Sequence, residues 1–126
     1  MGSLVYDTGA LIAADNDQRN IWAIHKRALQ RGTIPDVPAG VLAEAWRGNS
    51  PRLSRLLAGT RTVPLTDSSA RGAGLLLAAT SRPVQVIDAT VVETATSSSS
   101  AVVTSDYEGI AAIASSTGRR LDIIPI

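Results

Sequence analysis

The sequence predicts an α/β domain built on a mostly parallel sheet, and three observations lead there. Short apolar or β-branched runs alternate with stretches of helical pattern along the whole chain. Several of the helical stretches open on Asp, Thr or Pro and close on Gly, the usual punctuation of helices. The length of 126 residues, 44% of them hydrophobic, suits one domain (1–126) with one core.

Taken in order, LVY at 4–6 is a β-prone run ending at Asp7, and ALIAAD then has helical composition. NIWAIHKRALQRG (20–32) places Ile21, Ile24, Ala28 and Leu29 on one helical face, with Gly32 as a stop. TIPDV (33–37) reads as a short strand or a connection. PAGVLAEAWRG follows as a helix with Pro38 in its first turn, holding Glu44 and ending at Gly48. SPRLSRLLAG (50–59) is a further helix between Pro51 and Gly59, and TVPL (62–65) is a strand candidate. TDSSARGAGLLLAATS (66–81) is a helix capped by Thr66 or Asp67. Local propensity makes VQVI (84–87) a strand, after which DATVVETATSSSS reads as a helix opening at Asp88. The serine run 97–100 is a helix-to-strand loop. AVVTS (101–105) is a buried-type strand, DYEGIAAIASSTG a helix capped by Asp106, and LDIIPI (121–126) a last strand.

Composition narrows the function classes. The apolar runs are far shorter than the roughly 18–20 residues of a membrane span, so a soluble protein is expected. A secretory signal and a lipid anchor are not indicated, and the absence of cysteine fits a cytoplasmic location and excludes thiolate metal sites. Net charge is +1, unevenly spread. Residues 47–87 carry Arg47, Arg52, Arg55, Arg61, Arg71 and Arg82 against Asp67 alone, between acidic ends. Such a basic segment is either a nucleic-acid footprint or an arginine-rich solvated face.

Within VYDTGALIA, the tetrapeptide Asp7-Thr8-Gly9-Ala10 matches the signature of retroviral-type aspartic proteases. Those enzymes are all-β, whereas Asp7 here precedes a long helical pattern and no glycine-rich flap hairpin follows. A different constellation accounts better for Asp7. Asp7 and Asp106 both follow predicted strands, at the carboxyl edge where parallel α/β sheets build their sites. Asp88 heads a helix, and Glu44 sits among Val41, Leu42 and Ala45, where an unpaired carboxylate is costly. Four acids converging without His or Cys would make an oxygen-only site suited to Mg²⁺ or Mn²⁺, the ions of two-metal phosphodiester hydrolysis. Asp88 and Asp106 are equally explained as helix N-caps.

LVYDTGALIA, VLAEAWRG, VIDATVVETA and VVTSDYEGI, in this order over nearly the whole chain, resemble the PIN-domain family, and within it the VapC-type toxins of bacterial toxin–antitoxin pairs. The resemblance implies a parallel five-stranded sheet flanked by helices and a Mg²⁺- or Mn²⁺-dependent endoribonuclease. By motif, the family's acids fall on Asp7, Glu44, Asp88 and Asp106, as catalytic residues and metal ligands. Thr8 and Thr104 match its small hydroxyl positions. The resemblance also turns VQVI into a loop leading to the helix at Asp88. Family members often carry another acid three residues after the last aspartate, where this chain has Gly109 with Glu108 beside it. The implied partners are an RNA substrate, a cognate antitoxin and a second copy of the chain in a homodimer.

Arg47, Arg52 and Arg55, with Thr8 and Thr104, are the candidate substrate-binding residues. His25 reads as a surface helix residue, and Trp22 and Trp46 as core or interface anchors. Asp15 and Asp17 read as a solvated helix end. The apolar positions Ile21, Trp22, Ile24, Leu29, Val41, Leu42 and Trp46 exceed what one small core needs, so part of that surface is available to a partner. Two other functions compete with the ribonuclease: a related metal-dependent DNA nuclease, and a degenerate domain that binds RNA or protein without cleaving.

Overall fold

The computed structural model describes residues 3–126. Its elements run β1 (Leu4–Tyr6), α1 (Thr8–Asp15), α2 (Arg19–Gln30), β2 (Asp36–Pro38), α3 (Ala39–Ala45), α4 (Pro51–Leu57), β3 (Arg61–Val63), α5 (Asp67–Ala79), α6 (Val86–Ser98), β4 (Ala101–Thr104), α7 (Tyr107–Ser115) and β5 (Ile123–Pro125). The five strands form one parallel sheet in the order β3-β2-β1-β4-β5. The central strands are buried throughout, from Leu4 to Tyr6 and from Val102 to Thr104, as a sheet covered on both faces requires. The edge strands are short and proline-marked: β3 is followed by Pro64 and β5 ends on Pro125, which limits pairing with another chain.

Chain order and spatial order part between β1 and β4. The path goes outward from β1 through β2 to β3, then crosses through α5 and α6 to β4 on the other side. A crevice therefore opens at the carboxyl ends of β1 and β4, where the two halves of the sheet diverge.

Local chemistry accounts for most helix boundaries. Asp7 caps α1 by accepting from the Ala10 N–H at 2.8 Å, and Ser50 caps α4 ahead of Pro51 at its first position. Thr66, rather than Asp67, caps α5, in a reciprocal arrangement with Ser69. Pro38 differs from its predicted place by one residue: it ends β2 and precedes α3. VQVI is not a strand. Its first half is loop and its second half begins α6, so Asp88 lies in the first turn of that helix and Gln85 occupies the cap position. The serine run is not wholly loop either. The helix extends through Ser98 and closes on Ser99 in the left-handed conformation at φ 54°. Thr94, Thr96 and Ser98 satisfy their hydroxyls on carbonyls one turn back, which lets this hydroxyl-rich segment remain helical.

The core is formed by Val5, Tyr6, Leu11, Ile21, Val37, Val41, Leu53, Leu56, Val91, Val92, Val102, Val103, Ile110 and Ile113. Here the prediction for His25 fails. His25 is buried at 4% exposure, because positions 21, 25 and 28 share the inward face of α2, which packs on α1 and reaches Tyr6 of β1. The Tyr6 hydroxyl and His25 Nδ1 are hydrogen-bonded at 2.9 Å, satisfying both buried groups. Burial lowers the His25 pKa. Ile21 and Val41 are core, and Trp22, Ile24 and Leu42 pack against it, while Leu29 and Trp46 remain largely exposed. Among the described residues, no helix is long and apolar enough to cross a membrane.

Candidate active site

Asp7 stands directly after β1, and its backbone N–H donates to the Val103 carbonyl of β4 at 3.2 Å. Its carboxylate is buried at 3% exposure and divided between two tasks. Oδ1 caps α1, and Oδ2 accepts a hydrogen bond from the Thr104 hydroxyl at the end of β4. The same Thr104 oxygen accepts from the Asp106 N–H at 2.8 Å. One hydroxyl thus fastens the first acid to the segment carrying the last. Desolvation raises the Asp7 pKa, the repulsion of Asp106 adds to the rise, and the hydrogen bonds from Thr104 and Ala10 oppose it.

Asp106 caps α7 as predicted, accepting from the Gly109 N–H at 3.1 Å. The carboxylate folds back so far that a Cβ at position 109 would sit 2.2 Å from Asp106 Oδ2. Glycine at 109 therefore makes room for this side-chain position, and an acid there would displace it. Glu108 is exposed in the first turn of α7. Gly9 plays a comparable part on the other wall: a Cβ there would meet Ser105 Oγ at 1.8 Å, so only glycine lets the β4–α7 loop press against α1.

Glu44 is placed differently from the sequence reading. It is exposed on α3, not embedded near the core, and its Oε1 accepts a 2.6 Å hydrogen bond from Thr8 Oγ1. Asp88 is half-buried, and its pKa is pushed up to about 6, first by desolvation and then by the charges of Asp7, Asp106 and Glu44. Asp88 thus feels the charge of each of the other three predicted acids, Asp7 feels that of Asp106, and Thr8 and Thr104 bond directly to Glu44 and Asp7.

The ion pairs among the described residues are Arg61–Asp36, Arg71–Asp67 and Arg120–Asp122, so none neutralises this cluster. Its donors are all carboxylate and hydroxyl oxygens, a chemistry that fits Mg²⁺ or Mn²⁺. The side chains do not form a closed cage, however. Among the described residues, no three His, Cys, Asp or Glu side chains converge tightly enough to hold a cation. Coordination by this set would require Glu44 and Asp106 to turn from Thr8 and Gly109.

The predicted arginines lie outside the cluster. Arg47 donates to the adjacent Trp46 carbonyl at 2.9 Å. Arg52 reaches the Asp15 carbonyl at 3.5 Å, and the Arg55 guanidinium lies 4.8 Å from the centre of the Trp22 ring. Both are near the far end of α1, about 12 Å along the helix from Asp7. Asp15 is not merely solvated, since Ser50 Oγ donates to its carboxylate. The sequence reading did not single out Arg82 and Gln85. With Pro83, Val84, Asp88, Asp106 and Gly109 they line a cleft of about 170 Å³. Arg82 is the sole basic residue between Arg71 and Arg119, and that isolation ahead of Asp88 was the available signal.

No family model matches the sequence, and no curated protein does. Solved structures do share its architecture. A chain of VapBC2 from Rickettsia felis, bound to a DNA fragment from the promoter, superposes with a TM-score of 0.73 at 13% identity, covering 98% of both chains. A toxin–antitoxin complex from Klebsiella pneumoniae gives 0.68 at 18% identity, over 86% of this chain and 90% of that one. FitAcB from Neisseria gonorrhoeae gives 0.67 at 15% identity, over 96% of each. The five-stranded parallel sheet with its flanking helices is thus the PIN-like fold found in toxin–antitoxin complexes.

Proposed function

We propose that this chain is a metal-dependent endoribonuclease and the toxin of a type II toxin–antitoxin pair. The observation that carries the proposal is that Asp88 lies near enough to feel the charges of Asp7, Glu44 and Asp106 from three other segments, with no cation paired to any of the four among the described residues. Natural folds rarely leave such repulsion uncompensated without a use for it. The fold, shared with chains of toxin–antitoxin complexes, supports the toxin reading.

In this reading Asp7, Glu44, Asp88 and Asp106 hold Mg²⁺ or Mn²⁺. When bound, such an ion supplies positive charge to a phosphodiester and makes a nearby water more acidic. The chain's own contribution is positional. Thr104 orients Asp7 and holds the Asp106 N–H, Glu44 would turn to the ion from its resting bond with Thr8, and the cleft beside Asp88 and Asp106 admits the nucleic-acid backbone. Arg52 and Arg55 would meet strand lying beyond the cleft. We further infer a homodimer and a cognate antitoxin whose arginine enters the acidic cluster, where its charge would relieve the repulsion and displace the ion.

The open arrangement of the carboxylates favours one second reading, a PIN-like domain that binds RNA or protein without cleaving it. One experiment separates the two. Purified protein is incubated with total cellular RNA in Mg²⁺, in Mn²⁺ and in EDTA, with and without the product of the adjacent gene. Cleavage should require the ions, disappear in a folded Asp7→Asn variant, and stop when the neighbour's product is added. Undiminished cleavage in EDTA overturns the metal reading. A wild type that binds RNA but leaves it intact in both ions establishes the non-cleaving domain.

A further inference from the structure

We propose that Arg82 grips a backbone phosphate of the substrate at the mouth of the acidic cleft, an assignment that rests on the nuclease reading. The basic segment 47–82 does not act as one stripe. Arg61 is joined to Asp36 through both Nε and NH2, and Arg71 to Asp67. Arg55 lies over Trp22, Arg52 reaches Asp15, and Arg47 bonds to the Trp46 carbonyl. Arg82 has no ion-pair partner among the described residues, although it shares a cleft with Asp88 and Asp106. It is the one member of this segment that lines the cleft holding two of the four acids.

The backbone helps to hold it there. Pro83 has a fixed φ and restricts the preceding residue to extended conformations, so the stretch before α6 cannot wind into helix and carry Arg82 away. Arg82 is exposed. Its planar fork of N–H donors matches two oxygens of a phosphate, which an ammonium cannot reproduce. A phosphate entering the cleft would meet this fork on one side and the acids, with their ion, on the other. That placement also resolves an electrostatic difficulty, because four clustered carboxylates repel a polyanion unless a positive group stands beside them.

The test uses the full chain in an Asp7→Asn background, which is silent for cleavage, and a short fluorescein-labelled single-stranded RNA of mixed sequence. Binding is followed by anisotropy in Mg²⁺ over a range of salt concentrations. Adding Arg82→Ala should weaken binding about tenfold and reduce the slope of log K against log salt by about 0.7. Arg82→Lys should restore the slope, which counts charge, but not the full affinity, which needs the fork. In the cleaving protein, Arg82→Ala should raise KM while the thermal midpoint stays at the wild-type value, because the side chain is exposed. If wild type binds and cleaves RNA while Arg82→Ala changes neither affinity nor slope, the Arg82 assignment is wrong and the nuclease reading stands. If the Asp7→Asn protein retaining Arg82 binds no RNA and wild type cleaves none, both fall together.

Discussion

Replacing Asp88 by Asn should stabilise the metal-free protein at neutral pH, even though it removes a residue of the proposed site. In the fold, burial and three neighbouring carboxylates raise the Asp88 pKa from 3.8 to about 6. A folded pKa above the unfolded one means the folded state resists ionisation. Stability is therefore full below pH ~4 and is lost as pH rises through about 6. The ceiling is about 3 kcal/mol, at 1.36 kcal/mol for each tenfold change in acidity. Asp88 is only half-buried, so solvent screening reduces this to about 1.5 kcal/mol. Against this gain, Asn loses the favourable interaction of a carboxylate with the first turn of α6, about 0.5 kcal/mol. Repulsion wins by about 1 kcal/mol, or roughly 4 °C in thermal midpoint for a domain of this size. The assay is thermal unfolding of wild type and Asp88→Asn in EDTA from pH 4 to 8, repeated with Mg²⁺. The gap should open between pH 4 and 7 and narrow in Mg²⁺, which stabilises wild type more strongly. A variant less stable than wild type at pH 8 in EDTA would refute the claim that uncompensated charge strains this cluster.

Two further substitutions examine how the acids are held. Thr104→Val keeps the shape of a fully buried side chain but removes the hydroxyl between Asp7 and the Asp106 N–H. It should cost about 2–4 kcal/mol in urea unfolding, with Thr104→Ser recovering most of it, and a loss below about 0.5 kcal/mol would show that the bridge contributes little. Gly109→Ala brings a Cβ against Asp106 Oδ2, and the exposed carboxylate can turn aside, so stability should change by less than about 1 kcal/mol. RNA cleavage should stay within about threefold of wild type, because holding an ion already requires Asp106 to leave the Gly109 N–H, and a loss of tenfold or more would mean that Asp106 works from its capping rotamer.

What the sequence determined by itself is whatever depends on neighbours a few residues apart. Apolar runs punctuated by Asp, Thr, Pro and Gly identify the alternation of strands and helices and therefore the fold class. The capping role of Asp106 is local as well, because it binds an N–H three residues ahead. Even VQVI, read as a strand on propensity, shows the limit of such signals. Val86 and Ile87 belong to a helix whose other face packs on the sheet and α5, and that packing overrides β-preference. Tertiary structure alone decided the rest. The switch between β1 and β4 juxtaposes Thr104 with Asp7 across 97 positions, and no window on the chain contains both. Burial of His25 depends on which face of α2 meets Tyr6, whereas the polar residues beside it in sequence suggested a surface. Glu44 has apolar sequence neighbours but points outward to Thr8, because Val41 alone of that helix is fully buried. The arginines divide in the same way. Their number is written in the sequence, but partners distant along the chain engage Arg55 and Arg61, while Arg82 lines a cleft with Asp88 and Asp106, a sorting that exists only once the sheet has assembled.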